Sequence, residues 1–171
     1  MRRLFIALTM LCAPLLSAQE MPEVEIDSVV WYYKPEHVFK RIGEYFDGEE
    51  RFGRKIVLRS QEGEREGLYF IVRITEFADS LPDGCSFEVD MIRPDKRDPV
   101  TVKFPLPNNR KSHREVWLGF IGDDQPAEKE APVAWRIALI DPQGNVVATK
   151  ESFLWSKPPA ESQADVAQAA E

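Results

Sequence analysis

Val133-Ala-Trp-Arg-Ile-Ala-Leu-Ile-Asp141, followed by Pro142-Gln-Gly144 and then Asn145-Val-Val-Ala-Thr-Lys-Glu-Ser-Phe-Leu-Trp155, decides the fold class. In the first run Val133, Trp135, Ile137 and Leu139 alternate with Ala134, Arg136 and Ala138, the period of a strand with one buried face. Pro142 presets φ and Gly144 is free to take φ > 0, so Asp141–Gly144 reads as a tight turn. The second run returns with β-branched and aromatic residues. Together the two runs predict a β-hairpin that closes an antiparallel sandwich.

Working back toward the N-terminus, the same alternation recurs at regular spacing. Glu115–Ile121 is a strand. Val100–Phe104 is another, stopped by Pro105 and Pro107 and therefore suited to a sheet edge. Cys85, Phe87, Val89 and Met91 alternate with Ser86, Glu88, Asp90 and Ile92. Leu68–Phe77 is the most β-prone run and has the pattern of a central strand. Arg54–Arg59 and Val24–Tyr33 complete the set, and Val29–Tyr33 is apolar on both faces, so a cover is expected over it. Between Pro35 and Phe46, the residues Val38, Phe39, Ile42, Tyr45 and Phe46 fall at helical spacing and predict a short helix as that cover, with an extended crossover as the alternative. Pro35 suits its first turn and Asp47-Gly48 its end. Seven or eight strands without βαβ alternation predict an all-β, antiparallel, immunoglobulin-like or fibronectin-like β-sandwich with one short helix near the N-terminus.

The ends of the chain differ in kind from this domain. Arg2 and Arg3, the apolar run Leu4–Leu16 and the small residues Ser17-Ala18 have the order of a secretory signal peptide over 1–18. The apolar run is too short to span a bilayer, which takes about twenty residues, and Thr9-Met10-Leu11 before Cys12 lacks the small residues of a lipoprotein cleavage site. Residues 157–171, rich in Ala, Glu and Gln and without aromatics, are expected to be disordered. The domain is thus 19–156, exported to the periplasm or the outside of the cell, with no membrane span in the mature chain. Loss of Arg2 and Arg3 takes the formal charge from −7 to −9, which disfavours nucleic acid and anionic surfaces as partners. Once Cys12 has left with the signal, Cys85 has no intramolecular partner, and its strand position fits a small buried hydrophobe.

The search for chemistry excludes more than it finds. The two histidines are His37, in the predicted helix, and His113, in the basic loop; Cys85 has no neighbouring histidine in sequence, and no Gly-x-Ser-x-Gly elbow is present. Two scattered histidines and one cysteine do not make a zinc set. Asp123-Asp124 with Glu128 and Glu130 lacks calcium-loop spacing and carries Lys129, as a solvated acidic loop does. No cofactor, metal or catalytic residue is therefore assigned. Trp31, Tyr32, Tyr33, Trp117, Trp135 and Trp155 are expected mainly to fill a core without disulfides, with Trp31 and Tyr33 as candidates to stack on a sugar. Arg110, Lys111, His113 and Arg114 form a basic loop on an acidic protein and are candidate contacts to a partner. The expectation is a non-catalytic module that contacts an envelope or extracellular protein. A small carbohydrate-binding module is the alternative, and an enzyme of unknown class comes third.

Overall fold

In the computed structural model the described residues are 20–156 apart from residue 97. The signal sequence expected over 1–18 and the disordered tail expected over 157–171 lie outside them. Eight strands form two four-stranded sheets. Sheet A holds β1 (Ile26–Lys34), β2 (Ile56–Arg59), β3 (Gly67–Ile74) and β6 (Glu115–Ile121) in the order β1-β3-β6-β2. Sheet B holds β4 (Ser86–Ile92), β5 (Val100–Pro105), β7 (Ala134–Ile140) and β8 (Val146–Glu151) in the order β5-β4-β7-β8. Period-two alternation is the cause: one side of each strand meets the opposite sheet, and the other side faces out.

The core between the sheets is built from those inward sides. Leu68, Phe70 and Val72 of β3 and Val116, Leu118 and Phe120 of β6 meet Phe87, Val89 and Met91 of β4 and Ile137 and Leu139 of β7. Edge-on rings tie the layers together, with Phe70 5.7 Å from both Phe120 and Trp135, and Phe104 5.5 Å from Phe120. Cys85 is fully buried in this core, and burial pushes its thiol pKa up, which keeps it protonated and inert. The hairpin turn forms as the sequence implies. Gly144 takes φ 89°, and the Asp141 carboxylate accepts the Gln143 and Asn145 backbone N–H groups at 2.9 and 2.8 Å. β7 is internal to sheet B and β8 is its edge, while β5, ending at Pro105, is the other edge.

Two expectations are corrected. The sandwich is not wholly antiparallel, because β2 pairs with β6 in parallel, Ile56 opposite Val116 through Arg59 opposite Gly119. After β1 the chain runs back across the outer face of sheet A before β2 begins, so β2 enters from the same end as β1 and β6. The crossover is also not the expected helix. It forms a 3₁₀ turn at Glu36–Val38 and a single helical turn, α1 (Glu44–Asp47), closed by Gly48 at φ 72°. Only its first apolar residues find something to bury against. Phe39, 3% exposed, seats on Tyr69 and Trp117 with ring centroids 4.9 and 6.1 Å away, in a second cluster with Ile121. It covers the middle of the sheet rather than β1, which stays at the edge with Val30, Trp31 and Tyr32 exposed. Polar anchors hold the rest of the crossover: Arg59 grips Glu50 through both guanidinium N–H₂ groups, and Arg65 pairs with Glu44.

Candidate functional site: a basic cleft at one end of sheet A

The end of sheet A where β3 finishes and β6 begins is shaped by two long loops, 75–85 and 106–114. Arg110 fastens one to the other. Its side chain is 1% exposed. Its guanidinium donates to the backbone carbonyls of Ala78, Leu81, Pro82 and Pro107 and to the Asp83 carboxylate, the last three at 3.0 Å. Carbonyls in proline-bounded loops have no ladder partner, and one arginine supplies donors for four of them. The Ala78 N–H donates to the His113 carbonyl at 2.9 Å, and the Ile74 N–H to that of Arg114 at 3.0 Å, so the loop backbone is fixed next to β3.

Against this frame lies an open cleft of about 770 Å³. Arg54, Arg73, His113 and Arg114 line it, with Ile74 and Phe77 among its walls and Asp27 and Glu115 as its acids. The three arginines come from three places in the chain: the bend before β2, the end of β3 and the loop before β6. The Arg114 guanidinium lies 4.2 Å over the Phe77 ring, which holds it at the rim. Arg73, mostly exposed, is 3.8 Å from the Glu115 carboxylate, a loose pair. The other oxygen of Glu115 accepts the Trp117 indole N–H at 2.7 Å.

From Glu115 the charge continues onto the outer face of the sheet. The ammonium of Lys55 sits 3.4 Å from the Trp117 ring centroid, and that of Lys34 lies 5.4 Å from the same ring. Burial lowers the Lys55 pKa first, and repulsion from Arg41 and Lys34 lowers it further against the pull of Glu115. Gly119 lets this face close, since the Tyr69 ring lies where a Cβ would stand.

The basic loop read from the sequence therefore divides. His113 and Arg114 line the cleft, Lys111 is exposed along a neighbouring groove near Phe52, and Arg110 is inside. Arg54, Arg73, Lys34 and Lys55 escaped that reading because no two of the three chain segments that bring them are adjacent in sequence. The usable signal was positional, since each lies at or beside the end of a sheet A strand. Trp31, 37% exposed, and the half-buried Tyr33 share a side of β1. The Tyr33 hydroxyl bonds to Glu66, and the Lys129 ammonium lies 4.3 Å over its ring. His37 is exposed on the crossover. Among the described residues no three His, Cys, Asp or Glu side chains converge as a metal site would, and no helix is long and apolar enough to cross a membrane. No family model matches the chain, and neither a curated protein nor a solved structure matches it.

Proposed function

We propose that this protein is an exported, non-catalytic β-sandwich module that acts by contact with another protein in the cell envelope or outside the cell. The observation that carries the reading is the middle of the crossover. Ile42, Tyr45 and Phe46 are 80%, 79% and 86% exposed, on a segment that the Glu44–Arg65 and Glu50–Arg59 pairs fasten to the body. Large apolar side chains held out in water gain about 1.5–3 kcal/mol each when a partner buries them, and a fastened segment loses little further entropy on docking. Export rests on the order of residues 1–18. The fibronectin-like arrangement is part of the same proposal: the orders β1-β3-β6 and β5-β4-β7-β8 support it, with β2 as an added parallel strand. A glycan platform at Trp31 and Tyr33 draws less support, because Lys129 already covers a face of Tyr33.

A photo-crosslinking residue at position 45, in the full chain expressed in its native host, tests this reading. One discrete protein adduct is expected, lost when Phe46→Ser is added and not formed from a probe at Lys103 on sheet B. Equal adducts from both positions, or a lipid adduct alone from position 45, would overturn it.

A further inference from the structure

The outer face of sheet A, with the cleft at one of its ends, concentrates positive charge on a chain whose formal charge is −7. Arg54, Arg73 and Arg114 at the cleft, with Lys34 and Lys55 on Trp117, outnumber the acids beside them, Asp27 and Glu115 in the lining and Asp79, which accepts from the cleft residue Ser112. Glu115 is divided between Arg73 and the Trp117 indole. Arg54 has no carboxylate partner among the described residues. Holding like charges this close costs free energy in the isolated protein, and at Lys55 burial lowers the pKa and repulsion from Arg41 and Lys34 adds to it. The frame that keeps them there is rigid, because Arg110 and the loop backbone bonds pin His113 and Arg114 beside β3. Surplus charge on a fixed surface is what an oppositely charged partner recognises.

We propose that the cleft and the Trp117 cations together receive a carboxylate-rich segment of another protein. This rests on the contact reading above for the kind of occupant, but it uses different residues. The volume of the cleft, about 770 Å³, lies within the span of roughly 300–1,000 Å³ usual for ligand sites. Arginine forks suit carboxylates in pairs, and the Lys34 and Lys55 ammonium groups, seated on the buried Trp117 ring, add two more cations beside them. A dense polyanion fits less well. Asp27 and Glu115 would lie against it, and the net negative chain would repel it at long range. Widely spaced carboxylates on a peptide can avoid both.

The test is a titration of the full chain with a fluorescent peptide of alternating Glu and Ala, followed by anisotropy. Binding is expected at low ionic strength and should weaken as salt is raised through about 0.15 M, where the screening length falls to about 8 Å. Arg54→Glu and Arg73→Glu should each weaken it several-fold and together about tenfold or more. Lys103→Glu, which makes the same charge change on sheet B, should alter it less than twofold. Arg54 lies in an exposed bend, so its variant keeps the test valid even if Arg73→Glu perturbs the strand. Equal binding by the double variant and by Lys103→Glu would overturn the proposal. So would absence of binding at low salt, or tighter binding of heparin fragments or anionic vesicles than of the peptide. The crosslink from position 45 depends on neither arginine, so either reading can fail alone.

Discussion

Sheet A carries a second layer on its outer face, whereas the outer face of sheet B is left to water and to the short helix α2 (Phe153–Ser156) beside β7. On sheet B the most buried charge is resolved locally: Asp90 accepts from Thr101 at 2.6 Å and from two nitrogens of Arg136 at 3.0 and 2.7 Å. On sheet A, Phe39 closes an aromatic cluster and cations crowd around Trp117 without enough carboxylates to match. One chain with one composition thus makes one face that is complete and another that is not. The difference lies in the crossover, which places residues from 34–55 over strands that come later.

The comparison breaks most easily at Phe39. Replacing it with alanine removes the ring that Tyr69, Trp117 and the Arg59 guanidinium pack against. A loss of about 3 kcal/mol is expected, the range of large buried aromatics, read from the midpoint of urea unfolding. Amide exchange should quicken across 38–47 and stay slow in β4 and β7. An unchanged midpoint would mean that the crossover merely rests on the sheet. Gly119→Ala should cost somewhat less, about 2 kcal/mol, as overpacking does. Its methyl would lie 2.4 Å from the Tyr69 ring. That ring is held by the hydroxyl, which donates to the Arg65 carbonyl at 2.8 Å and accepts from Arg59 at 3.0 Å. A variant as stable as the parent would show that the ring swings aside freely.

Acid should separate the two faces next. The hydrogen bond from Arg65 holds the Glu44 carboxyl below its ordinary value of 4.5. A lowered native pKa means the unfolded state binds the proton first, so this pair stabilises the crossover fully above about pH 4.5 and loses that contribution as pH falls through the native value. Amide exchange at 43–48 should therefore accelerate below about pH 4.5. In Glu44→Gln it should be fast already at neutral pH, with no such onset.

The residues explain how far the chain could be read unaided. All eight strands were visible because alternation is a local property, and a strand such as Ser86–Ile92 needs no knowledge of its neighbour to show it. The parallel entry of β2 was not visible, since it depends on which way the crossover runs, and that is set by where Phe39 finds a pocket. The helical spacing of Val38, Phe39, Ile42, Tyr45 and Phe46 misled for a related reason. Spacing says which side chains would share a face, but only a surface to bury against makes them do so, and Ile42, Tyr45 and Phe46 have none. At the cleft, His113 and Arg114 were legible as part of a basic run. Arg110 looked the same in sequence, and only the unpaired carbonyls around Leu81-Pro82 and Pro107 hint that an arginine is needed inside.

The smallest effect is expected on the face that is already complete. Arg136→Ala removes one partner of Asp90, but Thr101 still donates to that carboxylate and the arginine side chain is itself 45% exposed. Its contact with Trp155, 5.5 Å to the ring, is at the long end of useful cation–π range. A cost of about 0.5–1 kcal/mol is expected, as for a part-solvated pair, with no change in the affinity for the acidic peptide. The value of this variant lies in its pairing with Arg73→Glu. If removal of the sheet B cation weakened peptide binding as much as reversal of the sheet A one, net charge rather than placement would govern recognition. If binding is indifferent to Arg136 and sensitive to Arg73, the unmatched charge of one face is what a partner reads, and the matched charge of the other belongs to the fold.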